Sequence, residues 1–335
     1  MQHERMIDDF FCVGDRKGGI VSATRQSAEL RRTLTLFGFV YKLSKSIAPT
    51  RVAKFIGIMF DSEKQKLRMP QDKTRECVDM LLKSIASKKA KRIFLEQTAG
   101  FFQHISQVFP QSRPFFRCLH DAAHSVKNQQ HFVRVSIDTR KDSKYFLKWM
   151  NKWNGSHAWH RIPTVFAATD GSPQGFGGCV FNSDSAHFGP VGCCGVFAAR
   201  DFKFVRTSGD MQWSEGWAVL GLLLLYGSTI FKGRTVSTRV DNEAIVWILG
   251  RYKTKDRRLR ILLRAITHLL IENDIVLVVD WVAGILNKIP DFLSRPELHK
   301  FNASALSSSN ARTFMSSSIH IGELHANASD VSAHT

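Results

Sequence analysis

Four carboxylates constrain this chain more than any other feature: Asp170 in VFAATDGSPQGFGG, Glu215 in MQWSEGWAVLGLLLLYG, Asp241 in TVSTRVDNEAIVWIL and Asp291 in NKIPDFLSR. The first and third close short apolar runs of strand character. The second lies on a long apolar run of helical length, and the fourth opens a late helix. Acids this far apart on two strands and two helices meet only through folding, and an acid-lined site assembled that way is suited to holding metal ions. Taken singly, each is also readable as an ordinary surface or capping acid; Asp241, directly before a helix, is placed to cap it.

The residues between the acids read as one domain. Thr164 to Asp170 is a strand closed by Asp-Gly-Ser-Pro, Gly175 to Phe181 a second, and Gly189 to Phe202 a third. They are close enough in sequence to pair as an antiparallel meander. Trp213 to Phe231 reads as a buried helix with Glu215 in its first turn. Val236 to Asp241 is a fourth strand, Asn242 to Leu249 and Leu259 to Ile271 are helices, and Ile275 to Trp281 is a fifth strand. The expected class is α/β (α+β), with a mixed five-stranded sheet, helices on its faces and the element order βββαβααβα.

This stretch resembles the ribonuclease H domain that follows reverse transcriptases in retroelements. Thr169-Asp170-Gly171-Ser172 matches its first-strand motif, Ser214-Glu215 its helix acid, Asp241-Asn242 its "D-N" motif, and Asn287 to Arg295 its terminal "N…A-D-x-L-S-R" motif. Pro290 replaces the usual alanine and bears on how the last helix starts. The loop before it lacks the histidine that some relatives carry, which bears on product release. The resemblance implies two Mg²⁺ ions, with Mn²⁺ as a substitute. Asp170 would bridge them, Glu215 and Asp241 would serve one ion and Asp291 the other. It also implies an RNA/DNA hybrid as substrate, cut in its RNA strand.

The first half carries a second resemblance. Met6-Ile7-Asp8-Asp9 sits in an apolar frame that reads as a hairpin over residues 1 to 20, and paired acids there are costly unless a cation or solvent meets them. Leu30, Leu34 and Phe37 follow at helical spacing, then Gly38-Phe39-Val40 and Lys45-Ser46. Phe55-Ile56-Gly57-Ile58-Met59-Phe60-Asp61 comes next, then Lys66 to Pro70, then a helix from Gln71 to Ser87. The order resembles the late palm and thumb of retroelement reverse transcriptases, with methionine where the Y-x-D-D hairpin has tyrosine. Residues 1–70 are then the end of a palm, 71–163 a thumb- and connection-like helical region, 164–300 the ribonuclease H-like domain and 301–335 a disordered tail. The resemblance implies a vestigial polymerase site at Asp8 and Asp9, and no DNA synthesis by this chain alone, because the earlier aspartate and the fingers are missing. The compact junction and the "LSR" ending look most like the DIRS and Ngaro retrotransposons.

Charge follows the same division. Residues 1 to 163 hold 30 Lys and Arg against 14 Asp and Glu, and the remainder hold 17 against 15. A basic half beside a near-neutral, acid-bearing half suits a nucleic-acid-gripping module joined to a metal nuclease, or else a merely soluble basic surface. Arg251, Lys253, Lys255, Arg257, Arg258, Arg260 and Arg264 form a dense basic stretch suited to backbone phosphate, or to a solvated helix face. Trp149, Trp153 and Trp159 are candidates for stacking on bases, with core packing as the alternative.

Other motifs carry less. The six cysteines include no CxxC pair, and His120-Asp121-Ala122-Ala123-His124 has the spacing of a zinc protease helix without its glutamate. No leader peptide or spanning segment is legible, so an intracellular setting, cytoplasmic or nuclear, is expected, with other retroelement-encoded proteins as companions. Two rival functions stay open: a non-catalytic nucleic-acid-binding remnant, and a nuclease of the same fold that acts on DNA.

Overall fold

The computed structural model describes residues 12–15, 17–40, 42–150, 155–157, 162–173, 175–182, 192–197 and 208–295. Asp8, Asp9, Trp153, Trp159 and the expected tail lie outside them. The hairpin expected at the start also falls mostly outside, and its last residues differ from the expectation. Helix α1 (Gly19–Leu36) begins there, several residues before the apolar spacing suggested, and none of its residues is buried.

Three short strands follow, β1 (Val52–Phe55), β2 (Ile58–Asp61) and β3 (Lys66–Arg68), paired antiparallel in that order. Gln65, at the turn between β2 and β3, has φ 51°, and Asp61 stands opposite Lys66. Strand β1 was not expected from the sequence, because four residues of mixed polarity carry little periodicity. Its register, Phe55 opposite Ile58, is set by the tight turn at Ile56-Gly57, both with positive φ.

Helices α2 (Gln71–Ala86) and α3 (Arg92–Val108) come next, with β4 (Lys89–Lys91) between them. Then follow α4 (Arg117–Ala123), β5 (Phe132–Arg134), which pairs with β4, α5 (Ile137–Met150) and the short β6 (Ser156–His157), which returns to pair with β3. Their apolar faces form one core through Cys77, Leu81, Leu95, Phe102, Ile105, Leu119 and Phe146. Phe102 stacks on Phe116 with ring centroids 4.0 Å apart. Trp149 belongs to the neighbouring cluster with Phe115 and Tyr145 and is only 8% exposed, so packing and not base stacking is its role.

The second half forms the expected mixed five-stranded sheet with flanking helices. Strand β7 (Val165–Gly171) is central, β8 (Gly175–Asn182) and β9 (Gly192–Phe197) extend the sheet antiparallel on one side, and α6 (Ser208–Tyr226) crosses over it. Strand β10 (Thr235–Val240) pairs parallel to β7 on the other side, giving the order β11-β10-β7-β8-β9 once β11 (Val276–Trp281) is added beyond it. Between β10 and β11 run α7 (Glu243–Arg251) and α8 (Arg257–Glu272), and α9 (Lys288–Ser294) closes the described chain. Parallel neighbours need such helical crossovers, which is why the meander comes first and the helices later.

Helix α6 is apolar on nearly every side because it is covered on nearly every side. Trp217, Ala218, Leu220, Leu222 and Leu223 pack with Val165 and Val180 of the sheet and with Leu262, Leu263 and Ile266 of α8. Helix α8 in turn serves two cores. Its other side meets the helical region, where Ile271 packs against the Phe102 and Phe115 clusters. Arg264 reaches Asp142 of α5 at 2.5 Å, and Tyr145 Oη lies 2.9 Å from His268 Nδ1.

This contact corrects part of the basic-stretch reading. Arg264 is spent on Asp142 and on the Pro114 carbonyl, and Arg260, only 13% exposed, faces Asp121 at 3.7 Å. Both point toward the helical region because α8 is buried on that side as well.

A candidate metal centre at the end of the central strands

Strands β7 and β10 run parallel, so Asp170 near the end of one and Asp241 just past the end of the other come out at the same edge of the sheet. Glu215 reaches that edge from α6. Its helix starts at Ser208, so Glu215 stands two turns in and not in the first turn as the sequence suggested. The approach is close. A Cβ at Gly171 would overlap the Ser214 carbonyl carbon, so only glycine lets α6 lie against the strand end at this height.

One oxygen from each of Asp170, Glu215 and Asp241 falls within 4.8 Å of the others. Asp170 and Glu215 are 5% and 3% exposed, and Asp241 is partly buried. Asp291, on the first turn of α9, lies at the margin of this group. Its charge acts on both Asp170 and Asp241, while its own Oδ1 meets Arg295 at 2.5 Å. Pro290 does not disturb this helix, because the N–H it lacks belongs to the first turn and has no intrahelical partner to lose. Asp241 does not cap α7. That part falls to Asn242, whose side chain accepts from the Ile245 N–H at 3.2 Å, and the neighbouring Asp241 carboxylate turns instead to the Glu215 carboxyl.

Two buried acids and a partly buried third with so little compensation cannot all ionise cheaply. Burial pushes the Glu215 carboxyl up to about 9, with the charges of Asp170 and Asp241 adding to the shift. Burial also raises Asp170 to about 6; the Ser294 hydroxyl opposes this, while Asp241 and Asp291 add to it. Asp241 is raised as well, chiefly by burial. Glu215 Oε2 is a buried carboxylate oxygen with no hydrogen-bond partner, a costly arrangement that an ion in the cluster would relieve. The donors are all carboxylate oxygens, so a hard divalent cation of the Mg²⁺ or Mn²⁺ kind fits them better than zinc.

Several residues hold the acids in place, and sequence reasoning gave none of them a role. Ser294 Oγ donates to Asp170 Oδ2 at 2.5 Å, and the Ser294 carbonyl accepts from the Ser172 hydroxyl. The buried Asn287 side chain donates to the Thr169 carbonyl at 2.9 Å. A Cβ at Gly177 would overlap the Pro290 carbonyl, so glycine there lets α9 sit directly on β8. The only sequence signal for Ser294 and Asn287 was their place in the terminal motif. Trp281, half exposed, donates through Nε1 to the Asp241 carbonyl at 3.2 Å. The turn Gly284–Leu286 lies against the Asp241 carboxylate, with Ile285 and Leu286 exposed on its rim.

Arg251, Lys253, Lys255, Arg257 and Arg258 are exposed around the junction of α7 and α8. Arg258 lies over the Trp213 ring, two residues before Glu215 on α6, so this patch borders the acid end of that helix. Arg251 lies over Trp247, and its carbonyl accepts from Arg113 at 3.1 Å. His120 and His124 stack on each other at 4.1 Å on the exposed side of α4, while Asp121 is engaged by Arg117 at 2.8 Å. The two histidines take no part in the one cluster of metal-type ligands found among the described residues.

No protein-family model matches the sequence, and no curated protein matches it. Solved structures do. Ribonuclease H1 from the halophilic archaeon Halobacterium salinarum is 21% identical over 41% of this chain and 98% of its own, with a TM-score of 0.33. LC11-RNase H1 in complex with an RNA/DNA hybrid is 18% identical over the same shares, with a TM-score of 0.32. A foamy viral protease-reverse transcriptase in complex with double-stranded DNA is 12% identical over 80% of this chain and 44% of its own, with a TM-score of 0.37. At such values the geometry of the acid cluster itself is the ground for its chemistry.

Proposed function

We propose that the chain is a retroelement-derived nuclease of the ribonuclease H type, which hydrolyses the RNA strand of RNA/DNA hybrids endonucleolytically with divalent metal. The observation that carries this reading is the cluster of Asp170, Glu215 and Asp241 at one sheet edge, with its orphaned Glu215 oxygen. Asp170, Glu215, Asp241 and Asp291 are the ligands in this proposal, and two bound Mg²⁺ or Mn²⁺ ions would supply an activated water and charge stabilisation at the leaving 3′ oxygen.

The protein's own groups set the stage for that reaction. Ser294 fixes the rotamer of Asp170, Gly171 admits Glu215, and Asn242 caps α7 so that Asp241 is not drawn into that role. Asp291 is held by Arg295 and would be released to an ion or retained by the arginine as the site fills. The exposed Arg251, Lys253, Lys255, Arg257 and Arg258 would meet backbone phosphates and lend affinity without sequence preference. Retroelement ancestry, of the DIRS or Ngaro kind, and other retroelement-encoded proteins as companions belong to the same reading, and the strand hairpin β2-β3 followed by α2 supports a palm-to-thumb segment. No described helix is long and apolar enough to cross a membrane.

The test is cleavage of a labelled RNA/DNA hybrid by the purified chain with Mg²⁺, beside RNA duplex and DNA duplex. Hybrid-selective cutting that Asp241→Asn abolishes is the expected result. Binding without cutting would replace this reading by a non-catalytic remnant, and cutting of DNA duplex would make the protein a DNA nuclease of the same fold.

A further inference from the structure

Strand β10 is buried along its whole length except at Arg239. It has neighbours on both sides, β11 and β7, so its exposed arginine must reach solvent from a face of the sheet and not from an edge, past Ser237 and Ala168, which are buried. Alternation identifies the face. Val236 and Val240 belong to the main core, so Ser237, Arg239 and Asp241 project to the opposite side, together with Ala168 and Asp170 of β7. The helix on this side, α9, lies over β7, β8 and β9 and leaves Arg239 exposed.

The surroundings of Arg239 do not use its charge. Its cross-strand partners are Ala168, which has no polar group to offer, and Asp280, whose Oδ2 accepts from the Ser237 hydroxyl at 2.8 Å. No ion pair joins Arg239 to Asp280 or to any other acid among the described residues. Nor does Arg239 balance the acid cluster by direct contact, since the arginine paired there is Arg295, on Asp291. Yet Arg239 is two residues before Asp241 on the same face, about 7 Å back along the strand. An uncommitted, exposed guanidinium one pleat away from a carboxylate cluster is placed for a ligand that is itself anionic and extends past the cluster. A nucleic-acid strand has that form, and the planar guanidinium fork matches a phosphate.

Resting on the nuclease reading above, we infer that Arg239 is a substrate-positioning residue. It holds a phosphate of the cut strand next to the one presented to Asp170, Glu215 and Asp241. The contact fixes register along the strand and carries no base preference.

The experiment uses the full chain with a labelled hybrid, measuring binding in Ca²⁺ across a salt series and steady-state cleavage in Mg²⁺. Arg239→Ala is expected to raise Kd and KM about tenfold at 0.1 M salt, to leave kcat within about twofold, and to flatten the dependence of log K on log salt by about 0.7 to 0.9. Arg239→Lys should restore most of the affinity and the salt slope, and Arg239→Glu should weaken binding beyond the alanine variant. An unchanged Kd and salt slope in Arg239→Ala, with wild type still cutting hybrid, overturns this inference and leaves the nuclease reading standing. A fall in kcat together with a rise in the Mg²⁺ midpoint at unchanged Kd also overturns it, because Arg239 would then serve the acids and not the substrate. A wild-type chain that neither binds nor cuts hybrid overturns both.

Discussion

Asp142 and Glu215 are equally buried, each 3% exposed, and their surroundings are opposite. Asp142 meets the Arg264 guanidinium at 2.5 Å, and this pair ties α5 to α8. Burial pushes its carboxyl up while Arg264 works against the shift. Glu215 instead faces Asp170 and Asp241 and keeps an oxygen with no partner. A buried acid with a cation in place is architecture. A buried acid set among other acids is a cost the fold carries unless something from outside the chain is bound.

The largest effect should come from breaking the unpaired side. Asp241→Asn keeps the shape of the site, removes one charge, and is expected to reduce hybrid cleavage by on the order of 10³-fold. In metal-free thermal unfolding the same variant should be as stable as wild type or more so, because a like charge has gone. A loss of stability instead would mean that Asp241 is structural and that the contrast with Asp142 is false.

Breaking the paired side should do the reverse. Arg264→Ala leaves Asp142 buried without its cation and should cost about 3–5 kcal/mol in denaturant unfolding. Cleavage per folded molecule should be little changed. Equal loss of activity in the folded fraction would show that the two regions are coupled through α8.

The pH dependence of stability sharpens the contrast further. Glu215 titrates near its ordinary value of 4.5 in the unfolded chain and near about 9 when folded, so between these values the native state holds the extra proton. The Glu215 contribution to metal-free stability should therefore fall as pH rises through this window, by at most about 1.4 kcal/mol per pH unit for this one proton, and its cost should vanish below the unfolded value. Glu215→Gln should flatten the slope, and Mg²⁺ should offset it at neutral pH. A metal-free protein whose stability does not change from pH 5 to 8 would remove the electrostatic argument for a metal site.

The smallest effect separates two adjacent residues. Asn242→Ala removes the cap of α7 and should cost about 1 kcal/mol while hybrid cleavage persists. Loss of activity comparable to that of Asp241→Asn would show that Asn242 does more than hold the helix.

Much of the second half was legible before folding was considered. Short apolar runs closed by turn residues marked β7 and β8, because strands buried on both faces must be nearly continuous in apolar character, and β10 and β11 were legible as strands as well, although β10 alternates Val236 and Val240 with polar residues and β11 is a partly exposed edge. The uninterrupted apolar run of α6 announced a covered helix. The end of β7 at Asp-Gly-Ser placed an acid at the strand terminus. The first half was read less completely, since β1 and β6 are too short to show a period and owe their pairing to neighbours.

What the sequence by itself determined is the order and kind of the elements, and with them which acids sit at element ends. Those follow from local periodicity and turn chemistry, which act over a few residues. Only the tertiary structure decided which charges are used up. Arg260 and Arg264 lie in the same basic run as Arg257 and Arg258, yet they turn to Asp121 and Asp142 because α8 is buried on two sides. Ser294 reaches Asp170 across more than a hundred residues, and Arg239 stays uncommitted because its cross-strand neighbours are an alanine and an aspartate whose Oδ2 is already bonded to Ser237. Whether a charged group has a partner is a matter of distance in space, and the chain carries that information only once it is folded.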